Sequence, residues 1–186
     1  DDAHTDWVSC VRFSPETKNP VLATASWDGT IKVWDSNTMT LKNTFNGHTN
    51  AVLSLDFATR SSYLASGGKD GNILLWNVEA GEFIKSYNHS HPINQVLFSK
   101  INYWIAAATD NGIIIWDIVK EQVIATEQVF KGDDDKDDDE KKDEKKIVTK
   151  VPLSCLSIAW SKNGTLLYSG WSDNKIRVYE TVVKSQ

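Results

Sequence analysis

The sequence has few cysteines, and this excludes a disulfide framework. The two that it contains, Cys10 and Cys155, fall in predicted inner strands of different repeats. Small secreted domains that depend on disulfides carry many more cysteines, whereas isolated cysteines are commonly buried thiols. We therefore expect reduced thiols and a cytoplasmic protein.

The sequence also lacks an excess of positive charge and a long apolar run. Its net charge of −5 gives no general attraction to nucleic acid or to an anionic membrane. No stretch approaches the roughly 18 apolar residues that a membrane-spanning helix needs. Single histidines far apart do not resemble a zinc ligand set, and no phosphate-binding glycine loop is present. We expect no membrane span, no metal, no cofactor and no sequence-specific contact with nucleic acid.

The sequence does contain one unit that is repeated four times. Each copy closes on an aromatic residue followed by an acid or amide: Trp34-Asp35, Trp76-Asn77, Trp116-Asp117 and Tyr179-Glu180. An aspartate stands six residues before each aromatic: Asp28, Asp70, Asp110 and Asp173. A histidine precedes the first three copies: His4, His48 and His89. A period of about 40–45 residues with this frame is typical of a four-stranded propeller blade.

Short apolar runs at even spacing, separated by turn residues, predict an all-β protein without helices. The predicted second strands are Val21–Ser26, Tyr63–Gly67, Trp104–Ala108 and Leu166–Gly170, and the copies are expected to align without gaps around their turns. We interpret residues 1–186 as one partial β-propeller domain. Its repeats are expected at about 4–45, 48–87, 89–130 and 150–183.

One segment interrupts the period between the third and fourth repeats. Lys131–Lys146 contains nine acids and six lysines, so it cannot bury enough apolar surface to offset its ordering entropy. We predict a disordered, charged insertion. It is either a tolerated, solvated loop or a docking segment for a basic partner.

A histidine, a hydroxyl, an aspartate and an aromatic residue recur together. The predicted sets are His4, Thr24, Asp28 and Trp34; then His48, Ser66, Asp70 and Trp76; then His89, Asp110 and Trp116 with Ala106 at the hydroxyl position; and finally Ser169 with Asp173. A single set of this kind suggests a nucleophilic hydrolase. Repetition in register, with Thr replacing Ser, instead favours a structural network. In it the histidine bonds the aspartate and the hydroxyl, and the hydroxyl contacts the tryptophan.

The residue directly before each hairpin aspartate differs between copies, which predicts an exposed position. These residues are Trp27, Lys69, Thr109 and Ser172. Exposed tryptophan beside a cation is typical of binding hot spots. The predicted partner-binding rim consists of Asp6, Trp7, Trp27, Lys69 and Trp171, and the alternative for each tryptophan is packing against its own blade.

These features resemble WD-repeat β-propellers, and four runs resemble the receptor for activated C kinase family. The runs are HTDWVSCVRFSP (4–15), ASGGKDG (65–71), NYWIAAAT (102–109) and LSIAWS (156–161). The resemblance implies blades four to seven of a seven-bladed ring. It also implies a cytosolic scaffold that binds protein kinase C and other signalling proteins and sits on the small ribosomal subunit. Tyr103 matches a tyrosine used in tyrosine-kinase docking; the alternative is a packing aromatic.

Three functional hypotheses fit the sequence. The first is a non-enzymatic scaffold of this receptor type, and the second is another WD-repeat adaptor, such as a G-protein β-like subunit or a ubiquitin-ligase substrate reader. The third is a Ser-His-Asp hydrolase. An open half-ring would also leave bare strand edges and blade faces, so we expect the isolated chain to self-associate.

Overall fold

The computed structural model describes residues 3–16, 18–59, 61–130 and 151–181. The predicted charged insertion at Lys131–Lys146 lies outside these residues. Within the described ranges every regular element is a β-strand, so the predicted all-β class is confirmed. No described helix is long and apolar enough to cross a membrane.

The strands form four antiparallel sheets that follow one another along the chain. The first sheet contains β1 (Val8–Phe13), β2 (Val21–Ser26), β3 (Thr30–Asp35) and β4 (Leu41–Asn46). The second contains β5 (Val52–Phe57), β6 (Tyr63–Gly68), β7 (Asn72–Asn77) and β8 (Glu82–Asn88). The third contains β9 (Ile93–Phe98), β10 (Trp104–Thr109), β11 (Gly112–Asp117) and β12 (Gln122–Glu127). The fourth contains β13 (Cys155–Trp160), β14 (Leu166–Trp171) and β15 (Ile176–Glu180), with no fourth strand among the described residues.

Each sheet is a meander in which consecutive strands pair, because short turns can join only antiparallel neighbours. The first strand of each sheet contacts the first strand of the next: β1 with β5, β5 with β9, and β9 with β13. Successive sheets whose first strands contact one another in this way are the blades of a partial β-propeller, and the first strand of each blade is its inner strand.

The hydrophobic core lies between neighbouring blades rather than inside any one of them. One cluster joins the first and second blades and includes Phe45, Leu55 and Trp76. A second cluster joins the second and third blades, and a third joins the third and fourth. A single sheet has two faces and no interior, so each blade depends on its neighbours for burial.

Side chains of one inner strand also bond the backbone of the next. The Oγ of Ser54 accepts a hydrogen bond from the Val96 amide at 3.1 Å, and the Gln95 Oε1 accepts one from the Ile158 amide at 2.8 Å. These bonds satisfy edge amides of the inner strands that no sheet ladder reaches, since an unpaired buried amide is costly.

The two end blades each leave one face uncovered. On the first blade Val8, Val11 and Phe13 are 49%, 48% and 66% exposed. On the fourth blade Ile176 and Val178 are 77% and 52% exposed. The outer edge of β15 has no partner strand within the described residues.

Candidate functional site

Except for Tyr103, the predicted partner-binding residues lie at one end of the blades, which we call the hairpin face. It consists of the turns between second and third strands (27–29, 69–71, 110–111 and 172–175) and the loops that lead into β1, β5, β9 and β13. The loop and the turn of one repeat meet because β1 starts where β2 ends: Val8 pairs with Ser26. The same pairing recurs between Val52 and Gly68.

In the first repeat the structure brings the predicted set together. The Nδ1 of His4 lies 2.9 Å from the Oδ2 of Asp28, and its Nε2 lies 2.8 Å from the Oγ1 of Thr24. The indole Nε1 of Trp34 donates to the same Thr24 oxygen at 3.0 Å. Since a carboxylate can only accept, Nδ1 carries the proton that faces Asp28. The histidine side chain is 1% exposed and the aspartate 8%.

The Asp28 carboxylate is held ionised by its donors. Burial alone would raise its pKa, but hydrogen bonds from the Thr30 hydroxyl and amide, the Thr5 amide and His4 outweigh burial. They hold the pKa of Asp28 well below its usual value. The predicted set therefore gains a member, Thr30, which sequence reasoning missed.

The second repeat repeats this geometry with serine in place of threonine. The Nδ1 of His48 lies 3.1 and 3.0 Å from the two Asp70 oxygens, and its Nε2 lies 2.8 Å from the Oγ of Ser66. The Nε1 of Trp76 donates to Ser66 at 2.9 Å. Burial raises the pKa of Asp70, but His48 and the amides of Thr49 and Asn72 lower it to about 2.

The third repeat does not form the set. No hydrogen bond joins His89 to Asp110 in the described residues; the His89 ring instead packs 5.5 Å from His91 and 6.2 Å from Trp116. Burial and the charge of His91 lower the pKa of His89. Asp110 accepts a hydrogen bond from the Asn94 amide group at 2.9 Å.

A shorter turn between β10 and β11 explains why the third repeat lacks the bond between its histidine and its aspartate. Thr109 pairs with Gly112, so only Asp110 and Asn111 form this turn, whereas residues 69–71 form the corresponding turn between β6 and β7. The expectation of gap-free alignment around the turns is wrong here.

The shorter turn also moves the hydroxyl position. Ala107, not the expected Ala106, is the fourth residue of β10, as Ser66 is the fourth of β6. Thr109 is the last residue of its strand and 1% exposed, so its predicted exposure is also wrong.

The fourth repeat replaces the missing histidine with an arginine. Arg177 donates to both Asp173 oxygens at 3.1 and 2.7 Å. This bidentate pair is the largest cause that lowers the pKa of Asp173 to about 2. The Nε1 of Trp171 donates to the Ser169 oxygen at 2.7 Å. Arg177 was missed; its position four residues after an unpartnered hairpin aspartate is the signal that could have found it.

Trp171 is therefore not available to a partner, contrary to expectation. It is 3% exposed and belongs to the core between the third and fourth blades. The Arg177 guanidinium lies over the Trp171 ring, 5.3 Å from the ring centre. Trp171 occupies the donor role that Trp34 and Trp76 fill in the first two repeats.

The serine of the second set is not accessible to a substrate. Ser66 is fully buried, and its oxygen already contacts His48 Nε2, Trp76 Nε1 and the Leu74 carbonyl. A nucleophile must reach a substrate carbonyl, and no surface of this oxygen is open to one. The described residues also contain no group of three or more His, Cys, Asp or Glu side chains suited to a metal ion.

Three exposed side chains of the predicted rim do meet, and we call them the Trp–Lys cluster: Trp7, Trp27 and Lys69. The two indole rings lie 5.1 Å apart between centroids at 44°. The Lys69 ammonium lies 4.0 Å above the Trp27 ring centre, within range of a cation–π interaction. Trp7 is 71% exposed and Trp27 38%.

Backbone hydrogen bonds fix this cluster. The Trp27 amide donates to the Trp7 carbonyl at 2.9 Å, and the Lys69 amide donates to the Ala51 carbonyl at 2.9 Å. Asp6 belongs to the same structure: its Oδ1 accepts from the Trp7 amide at 2.7 Å, and its carbonyl accepts from the Ser26 hydroxyl. Asp6 thus borders the cluster on the Trp7 side.

Tyr103 lies elsewhere. It is 73% exposed in the loop between β9 and β10, at the strand ends opposite the hairpin face. Its neighbour Ile101 is 50% exposed. The structure therefore does not bring Tyr103 together with the Trp–Lys cluster.

Comparison with known proteins agrees with the four repeats. The family described as WD domain, G-beta repeat matches residues 2–35, 39–77, 81–117 and 148–180. Two similar relatives are both named small ribosomal subunit protein RACK1. The Drosophila melanogaster protein is 36% identical over 191 residues and the Caenorhabditis elegans protein 37% over 192. Each match covers 100% of this chain but 54% of the relative, so the chain spans about half the length of these curated relatives.

Proposed function

This chain belongs to the WD-repeat family, and from that premise we propose that it is a non-enzymatic scaffold that binds other proteins through its hairpin face. One observation carries the proposal: polar sets that resemble a catalytic triad are buried, while aromatic and cationic groups on the same face are exposed and fixed. Rigid exposed tryptophan beside a cation is the composition of a protein-binding hot spot.

The chain matches a portion of RACK1, and this match supports the partners that we propose. They are the small ribosomal subunit, which the relatives' names carry, and protein kinase C with other signalling proteins. A cytoplasmic location follows from these partners. We also propose that the four repeats act as one partial-propeller domain and that Tyr103 is a docking or modification site.

Co-sedimentation with purified small ribosomal subunits tests the proposal. The folded chain is expected to pellet with the subunits in a saturable way. Its recovery in the supernatant, while circular dichroism shows intact β-structure, would contradict the ribosomal part. Binding to purified protein kinase C would then decide between a signalling scaffold and another WD-repeat adaptor.

The hydrolase hypothesis has a separate test. Replacement of Ser66 by alanine is expected to lower the unfolding free energy without removing any esterase or peptidase activity. A Ser66→Ala variant that loses such an activity while its unfolding free energy is unchanged would support the hydrolase hypothesis.

A further inference from the structure

We propose that the Trp–Lys cluster binds a linear peptide in which an acidic side chain stands next to an aromatic or large aliphatic one. This inference rests on the proposed scaffold function and names the chemistry of one class of partner. The acidic group is placed at Lys69 and the apolar group on Trp7.

The charge of Lys69 gives the first argument. Among the described residues Lys69 has no carboxylate partner, and its ammonium lies over the Trp27 ring. The hairpin carboxylates of the first and second repeats already accept hydrogen bonds from other groups. Asp28 accepts from His4, Thr5 and Thr30, and Asp70 accepts from His48, Thr49 and Asn72. On a chain of net charge −5, this cation is free to receive an external carboxylate.

The position of Lys69 is also set in advance. A lysine side chain normally loses rotamer entropy when it binds, and this loss cancels much of an exposed ion pair. The cation–π contact with Trp27 holds the ammonium at a defined place before any partner arrives. The ring covers one side of the ammonium, which leaves the remaining N–H donors to a partner.

Trp7 supplies the apolar half of the site. Trp7 is 71% exposed although its ring contacts Trp27, and its backbone is fixed because its carbonyl accepts from the Trp27 amide and its amide donates to the Asp6 side chain. A rigid indole gains contact area at low entropic cost, and a second ring or an aliphatic side chain would pack on it.

Asp6 gives the site a direction. Its carboxylate accepts a hydrogen bond from the Trp7 amide, and no ion pair joins it to Lys69 among the described residues. A second acid in the peptide would meet Asp6 and be repelled. The expected motif is therefore one acid beside one apolar residue rather than an acidic run.

Fluorescence anisotropy with labelled hexapeptides tests this assignment. The central pairs are Glu-Phe, Gln-Phe, Glu-Ala, Lys-Phe and phosphoserine-Phe in a Gly/Ser context. The full chain is expected to bind Glu-Phe several-fold more tightly than Gln-Phe, up to about fivefold, as an ordered exposed ion pair allows. Glu-Ala and Lys-Phe should bind still more weakly.

Variants of the chain locate the site. Lys69→Gln should remove the preference for Glu-Phe over Gln-Phe, and Trp7→Ala should weaken both. Lys162→Gln is the matched control, because Lys162 is exposed in the β13–β14 loop at the opposite strand ends. Unfolding midpoints confirm that each variant is folded.

Several outcomes would overturn the inference. These are equal binding of Glu-Phe, Gln-Phe and Lys-Phe, a Lys69→Gln variant that behaves like Lys162→Gln, saturable binding by phosphoserine-Phe alone, or no saturable binding. If the chain still co-sediments with ribosomal subunits in any of these cases, only the peptide site fails and the scaffold function stands.

Discussion

Asp56 offers a stability test in which the structure gives both sign and magnitude. It lies in β5, and its Oδ2 accepts a hydrogen bond of 2.7 Å from the Phe98 amide in β9, so it joins the second and third blades. Burial raises its pKa from 3.8 to about 6, because that effect exceeds the opposing Phe98 hydrogen bond and the charges of Arg12 and Lys100. The ionised carboxylate thus stands in a site that disfavours its charge.

The Asp56→Asn variant removes the charge and keeps an oxygen that can accept from Phe98. One pKa unit is equivalent to about 1.4 kcal/mol. A pKa raised to about 6 therefore means that ionisation of Asp56 costs the folded state on the order of 3 kcal/mol. This cost is absent below pH 3.8, develops as the pH rises through 6, and is complete above it.

Urea unfolding of both proteins at a series of pH values measures the difference directly, since other titrating groups cancel. The variant is expected to match the wild type near pH 4 and to be more stable by up to about 3 kcal/mol at pH 7.5. A variant that is less stable at neutral pH, or a difference independent of pH, would refute the reasoning.

Three further outcomes are expected. Arg177→Gln should raise the pKa of Asp173 from about 2 toward its usual value. Carbon NMR of the Asp173 carboxyl group as a function of pH measures this pKa, and an unchanged value would contradict the bidentate pair. Burial raises the pKa of Cys155 to about 12, so a thiol reagent should label half-buried Cys10 first and Cys155 only after unfolding; equal rates in the native protein would be inconsistent with the fold. The isolated chain should self-associate through its exposed end faces. Sedimentation velocity should show less self-association for the double variant Phe13→Ser, Ile176→Ser, and a monomeric wild type would contradict this expectation.

Much of the fold could be predicted because the repeat constrains it. The strand β2 spans the predicted Val21–Ser26, and Tyr63, Trp104 and Leu166 begin their strands as expected. A hydrophobic run bounded by turn residues leaves few other conformations, and four copies in register reinforce one another.

The departures come from features that sequence spacing does not contain. The four-residue offset before the aspartate points to Ala106, but the turn of the third repeat is one residue shorter and the corresponding strand position is Ala107. The spacing from Asp110 to Trp116 does not reveal this, because the shortening leaves it unchanged. Trp171 was expected at the surface from its place beside the turn, but burial depends on the alternating direction of side chains along β14 and on Arg177 from β15. The contact of Lys69 with Trp27 joins two different blades, so neither repeat predicts it alone.

The central structural feature is the buried link between a histidine and the hairpin aspartate of its repeat. The third repeat provides an internal control, since His89 and Asp110 occupy the corresponding places in the sequence but are not bonded to each other. In the second repeat the His48 and Asp70 side chains are 1% and 3% exposed.

Two double-mutant cycles of unfolding free energy, His48→Ala with Asp70→Ala and His89→Ala with Asp110→Ala, test this link most directly. The first pair is expected to show a coupling of about 1.5–3 kcal/mol, as for a hydrogen bond to a charged group, and the second a coupling near zero. Negligible coupling between His48 and Asp70, or equal coupling in both pairs, would contradict the account.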